Sequence, residues 1–174
     1  MQKVSDAFLL NMAEVSAGLI GLFLVGVFFY VETGFRRLGE ERDVFEDYFR
    51  ASTRIVMILF AIPLMLSLTL VALEPTWSTV LFALLSVALI AANVETAGQI
   101  RDVQRVTGSS TLFINEIAGT LGVVILIATP WLLGGLDPSR EDLTWAILVS
   151  FLTAFVSVLA LVMSVFDVER TQRP

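Results

Sequence analysis

The sequence predicts an all-α integral membrane protein with five transmembrane helices, its N-terminus outside and its C-terminus inside. Three observations carry that expectation. The apolar residues fall in long runs rather than at scattered core positions. Only 16% of the 174 residues are charged, against roughly a quarter in a soluble domain. The arginines and tryptophans collect at opposite ends of the runs. With 56% hydrophobic residues and a mean hydropathy of +0.84, the whole chain, 1–174, reads as one transmembrane helical domain.

The first span covers residues 8–31. No charged residue occurs from Val15 to Val31, and about 20 helical residues cross a hydrocarbon core of about 30 Å. Its length, the carboxylate of Glu14 and the lack of a small-x-small cleavage site make it a span rather than a secretory signal. Ala17 and Gly21 lie four apart with Gly18 beside them, a spacing that admits a second helix at close range. Glycine is also simply frequent in membrane helices, and both readings stand.

Glu32 to Thr53 is the most charged stretch. Leu38, Phe45, Tyr48 and Phe49 recur at helical spacing among Glu40, Glu41, Arg42, Asp43, Glu46, Asp47 and Arg50, an amphipathic pattern. No Gly or Pro occurs between Gly39 and Pro63. Residues 40–54 are therefore expected to run unbroken into the second span, 55–73, as a cytoplasmic extension of helix 2. Arg50 and Arg54 mark its entry into the membrane. The charged face of the extension is a candidate docking surface for a protein partner. Pro63, in mid-span, frees a backbone carbonyl and is expected to kink the helix, in a structural or a gating role.

Glu74-Pro75 is a very short turn into the third span, 76–97, with Thr76 or Ser78 as its expected cap. The last turns of that span carry Asn93 and Glu95. Residues 99–110 read as a polar loop closed by Thr107-Gly108-Ser109-Ser110. The fourth span, 111–133, has Asn115 and Glu116 near its start and Pro130 near its end; Gly134-Gly135 breaks it. Asp137-Pro138 reads as an N-cap followed by proline at the first helical position, with Glu141 and Asp142 suiting the positive end of the helix dipole. The fifth span is 143–167.

Orientation follows from the loops. Arg36, Arg37, Arg42, Arg50, Arg54, Arg101, Arg105, Arg170 and Arg173 share one side; Lys3 and Arg140 hold the other. The positive-inside rule puts the arginine side in the cytoplasm. Trp77, Trp131 and Trp145 all fall at the opposite, outer interface, where amphipathic rings settle. The cell (plasma or inner) membrane is the expected location.

Two internal echoes are present. Helix ends repeat as Val31-Glu32-Thr33-Gly34, Val94-Glu95-Thr96 and Val168-Glu169-Arg170. Glu14 followed by Ala17-Gly18 and Gly21 resembles Glu116 followed by Ala118-Gly119 and Gly122. Duplication and the shared physics of helix exits both account for such echoes.

The chemistry is bounded by what the chain lacks. It has no cysteine and no histidine, which removes thiol chemistry, cysteine metal sites and the commonest general base and haem or metal ligand. Lys3 is the only lysine, so no buried Schiff base is available. Serines are scattered with no histidine to activate them. No enzyme activity, cofactor or metal centre is expected, and no nucleic-acid partner, because the basic residues are used up as membrane flanks.

What remains is a set of polar groups inside the spans. A carboxylate there costs about 2.5–3.5 kcal/mol on insertion scales. Glu14 with Asn11, Glu95 with Asn93, and Glu116 with Asn115 are the ion-pathway candidates, since carboxylate and amide oxygens suit hard cations. Asn93, Glu95, Asn115 and Glu116 are expected near one another with Arg54, Arg101 or Arg105 in reach. The alternative is that the acids sit hydrated or arginine-paired at the headgroups while the amides join helices. Five helices enclose little space, so any pore is expected in a homo-oligomer, with Ala17, Gly18 and Gly21 or Ala118, Gly119 and Gly122 as helix-packing faces. Two function classes follow: a small channel or transporter subunit for a cation or proton, or a non-catalytic membrane anchor or scaffold docking a partner through residues 40–54.

Overall fold

A computed structural model describes residues 4–33, 42–107 and 110–171, with side chains described for 4–29, 47–99, 114 and 116–162. The described chain is all helical: α1 (Asp6–Thr33), α2 (Arg42–Ala72), α3 (Pro75–Thr107), α4 (Ser110–Gly134) and α5 (Arg140–Thr171). Each contains a stretch long and apolar enough to cross a membrane. These five helices define a multi-pass membrane protein. Large apolar side chains such as Leu22, Phe28, Val87, Val94, Leu132 and Leu152 face outward around the bundle, as a lipid-facing surface requires.

The helix ends show why each element starts and stops where it does. Ser5 caps α1, its hydroxyl accepting from the Phe8 N–H at 3.2 Å. At α3 the cap differs from expectation. Helix begins at Pro75, one residue before the predicted start, and Glu74 rather than Thr76 or Ser78 precedes it, so proline occupies the first helical position where its missing N–H costs nothing. Gly135 ends α4 with φ of +64°, its N–H donating to the Trp131 carbonyl at 3.0 Å. The cap of α5 is Ser139, not Asp137. The Ser139 hydroxyl and N–H both donate to the Asp142 carboxylate, at 2.7 and 2.9 Å, and the Asp142 N–H donates back to the hydroxyl at 3.3 Å, a reciprocal capping box.

Two further boundaries correct the sequence reading. Helix α3 continues to Thr107, ten residues past the expected end at 97, so residues 99–107 are helix and not loop. Between Gly98 and Gly108 there is no Gly or Pro, and a polar sequence is no obstacle to a helix that leaves the bilayer. Asn93 and Glu95 therefore sit in the body of α3. Residues 40 and 41, with Glu40 and Glu41, lie outside the described residues.

Helix α2 is the hub. It packs against α1, α3 and α5, while α4 packs on α3 and α5. Half of its span is buried, against 11% for α1, whose backbone comes close to that of α2 alone. Ile55, Val56, Leu59, Phe60, Ile62, Leu66 and Leu70 of α2 form the centre of the core, with Leu9 of α1, Phe82 and Leu89 of α3, Leu126 of α4, and Leu143 and Ile147 of α5. Apolar contact between helices gains little in lipid, whose tails are as apolar as leucine; packing fit and hydrogen bonds decide.

Both appear at Pro63. A proline has no N–H for the carbonyl four residues back, which here is Leu59. The Ser150 hydroxyl of α5 donates to that Leu59 carbonyl at 2.5 Å. On the other side, the Ser16 hydroxyl of α1 donates to the adjoining Phe60 carbonyl. Both serines are fully buried. The carbonyl that proline leaves without a partner, Leu59, is thus satisfied by α5, as an apolar surround demands, and α1 adds a bond at the next carbonyl. Several other span threonines bond within their own helices, Thr96 to the Ala92 carbonyl and Thr153 to the Val149 carbonyl among them.

Packing fit shows at the small residues. A Cβ on Gly122 would lie 2.8 Å from the Thr153 methyl, so α4 and α5 approach as closely as glycine allows, and Gly119 faces Ser157 nearby. A Cβ on Gly18 or Gly21 would meet nothing within 4 Å, and Ala17, Gly18 and Gly21 are all exposed. The two similar segments are used differently: one is spent inside the chain and the other lies open, while Ala118 points outward.

Two outcomes are expected. Ser150→Ala loses about 1 kcal/mol of stability in detergent unfolding; in a Pro63→Ala background, where the helix supplies its own N–H, the same substitution costs measurably less. Equal costs in both backgrounds would dissociate the serine from the proline. Gly122→Ala loses about 1–3 kcal/mol through overpacking against Thr153, whereas Gly21→Ala is neutral for the isolated chain.

Candidate functional site

The spans leave one place where polar side chains from several helices converge. Near the end where α2 and α4 begin, Tyr48 and Ser52 of α2, Asn93 of α3, Glu116 and Thr120 of α4, and Ser157 of α5 line a small cleft of about 30 Å³. Ile55, Val56, Ala160 and Leu161 supply its apolar walls. Each helix delivers its polar residue for a local reason. Tyr48 lies on the apolar face of the amphipathic start of α2 and is buried, while Asp47 and Arg50, on the opposite face, are exposed. Glu116 and Thr120 are one turn apart on α4, so both face the same way. Gly119 and Gly122 bring α4 near α5, which carries Ser157 alongside.

The Thr120 hydroxyl donates to Asn93 Oδ1 at 3.3 Å, joining α4 to α3 across the cleft. The Ser52 hydroxyl oxygen has no solvent exposure, and Tyr48 is its hydrogen-bonding neighbour. Among the described residues, Glu116 is the one carboxylate of the cleft and no basic side chain lines it. Its donor atoms are all oxygens, and no group of three or more acidic residues capable of holding a metal occurs among the described residues.

The sequence-predicted residues separate into three places. Asn93 and Glu116 share the cleft. Glu95 lies outside it, paired with Arg54 of α2 in a half-exposed ion pair. The Asn115 side chain lies outside those described, as do the side chains of Arg101 and Arg105. Of the expected cluster, Asn93 and Glu116 thus come together and Glu95 has Arg54 in reach; Glu14 and Asn11 are exposed on α1, whose backbone lies away from α3 and α4. Of the docking candidates, Asp47 and Arg50 are exposed and 3.7 Å apart. Arg42, Asp43 and Glu46 belong to α2, but their side chains lie outside those described. At the opposite end, Asp6 of α1 pairs with Arg140 of α5 and fixes the two helix starts together.

Sequence reasoning missed Tyr48, Ser52, Thr120 and Ser157 as lining. The spacing of Glu116 and Thr120 was a usable signal; the arrival of Ser52 and Ser157 needed the packing of α2 and α5 to be known.

A second space is wholly different. Where α1 and α5 both rest on α2 with their backbones apart, a groove of about 840 Å³ opens between them, walled by Phe23, Phe49, Phe60, Phe151 and Phe155 with aliphatic neighbours. Compared with protein-family models, curated proteins and solved structures, the chain matches none.

The Arg54–Glu95 pair is half-exposed on both sides, so Arg54→Gln is expected to cost less than about 1 kcal/mol. A double-mutant cycle with Glu95→Gln, read by chemical unfolding, checks this.

Proposed function

We propose that the protein is a small membrane transporter or channel subunit that handles a cation or a proton, and that Glu116 is its central residue. One observation carries the reading: a carboxylate placed among apolar helices is met by hydroxyl and amide oxygens from four of them, and by no basic residue among those described. Carboxylates held inside membrane spans mark ion and proton paths. An acid needed only for solubility would sit at the rim, as Glu95 does with Arg54.

In this reading the N-terminus is outside, on the strength of the arginine distribution and the three tryptophans. The cleft then opens toward the cytoplasmic leaflet, the helical stretch before Asp47 extends into the cytoplasm, and the membrane is the cell or inner membrane. Asn93, Thr120, Ser52 and Ser157 hold the transported species beside Glu116. The protein acts without a catalytic step or cofactor. Its assembly into a homo-oligomer supplies the path that five helices alone do not enclose, and the open Ala17, Gly18 and Gly21 face of α1 supports that assembly.

A second reading, a non-catalytic anchor or scaffold, is favoured by a separate observation. The aromatic groove between α1 and α5 has the apolar character of a helix-docking surface.

Flux into liposomes holding the purified protein separates the two. Glu116→Gln is expected to lower cation or proton flux at least about 100-fold, and Glu14→Gln to leave most of it. No flux from folded wild-type protein, over a range of pH and cations, would reject transport and leave the scaffold.

A further inference from the structure

We infer that the Glu116 cleft takes a partly dehydrated monovalent alkali cation, a step that rests on the transport reading above and narrows its substrate class. The atoms of Glu116, Asn93, Thr120, Ser52, Ser157 and Tyr48 able to ligate a cation are all oxygens. Oxygen sets select hard cations, and the absence of nitrogen and sulfur donors argues against zinc, copper and iron.

Charge decides the valence. The cleft holds one carboxylate and otherwise neutral oxygens among its described residues. An ion of single positive charge balances it. A divalent ion would leave an uncompensated charge among apolar helices, which is costly. Size agrees. A cavity of about 30 Å³ has room for one ion with a water or two. It has no room for magnesium with the several waters that ion retains.

Unspent acceptors separate a metal cation from a proton. A proton needs only the carboxylate. Here the Ser52 hydroxyl is buried beside Tyr48, its hydrogen-bonding neighbour, and keeps acceptor capacity unspent. Among the described residues the Asn93 carbonyl oxygen receives one long hydrogen bond, 3.3 Å from Thr120, of the two it can accept. Buried polar atoms left unpaired are costly, and an alkali cation coordinated by these oxygens and Glu116 satisfies them together. Mixed sets of carboxylate, amide and hydroxyl oxygens drawn from several helices are suited to that task because no single helix can surround an ion.

The test uses the full chain, purified in detergent. Binding of radiolabelled Na⁺ is measured alongside melting temperature in chlorides of Na⁺, Li⁺, K⁺, Mg²⁺, Ca²⁺ and a bulky organic cation at matched ionic strength. Saturable Na⁺ binding is expected, with a higher melting temperature in one or more alkali chlorides than in the organic salt. Glu116→Gln should weaken binding by about 10- to 100-fold, and Thr120→Val and Ser157→Ala by smaller factors. The last two are mild substitutions that keep the test valid if Glu116→Gln fails to fold. Binding unchanged by these substitutions, or Na⁺ displaced by equal Ca²⁺, overturns the inference. No alkali binding with Glu116-dependent proton flux intact overturns it too, while leaving the transport reading standing. Neither binding nor flux removes both.

Discussion

The structure depends on the backbone break at Pro63. In water an unpaired carbonyl is hydrated at little cost; in hydrocarbon it must find a donor in the protein. Proline creates that need in the middle of the most buried helix. The Leu59 carbonyl meets it by accepting from Ser150, and the adjoining Phe60 carbonyl accepts from Ser16, so that directed bonds tie α5 and α1 to α2 at this depth. A hydroxyl bond has a defined length and direction, whereas leucine-on-leucine contact inside a lipid does not favour one register strongly over another. The proline is therefore the feature that gives the bundle its register, and the two serines transmit it.

From that centre the remaining helices are placed in sequence. α5, held by Ser150, receives α4 through the close approach of Gly122 to Thr153. α4 in turn brings Thr120 to Asn93 of α3, and α3 returns to α2 through the short turn before Pro75 and the Arg54–Glu95 pair. Those four helices close a ring of contacts, and the polar cleft lies within it. α1 is outside the ring. It is held by Ser16, by its apolar face on α2, and by Asp6 on Arg140. That difference in support explains why the groove opens beside α1 and why its glycines remain uncovered.

The sequence made the five helices and their order legible because length and apolarity in a bilayer leave few alternatives. It was less informative at helix ends. Asp137-Pro138 satisfied the statistical pattern of a cap, yet Ser139 with Asp142 makes two-way hydrogen bonds that a lone cap does not offer. The stretch after Gly98 looked like a loop because it is polar, but polarity reports the surroundings of a helix and not its existence. The cleft was half legible. A buried acid announces itself against an apolar background, so Glu116 and Asn93 were visible; serines and tyrosine do not, because they are tolerated anywhere in a span by bonding to their own helix. Ser16 and Ser150 were equally silent, although a proline in mid-span raises the question of which neighbour answers it.

The repeated Glu…Ala-Gly…Gly pattern shows how far local sequence determines use. In α4 the glycines admit Thr153 and Ser157, and this draws α5 close enough for Glu116 to share a cleft with residues of three other helices. In α1 the same residue types, at nearly the same spacing, face no helix of this chain, and Glu14 has no comparable company. What distinguishes them is the neighbour, and the neighbour is set by Pro63 and its serines. A carboxylate becomes a candidate ion site only where the packing around it brings oxygen from elsewhere. In this chain that packing surrounds Glu116 and leaves the Glu14 side of α1 exposed, so one pattern of residues meets two different surroundings.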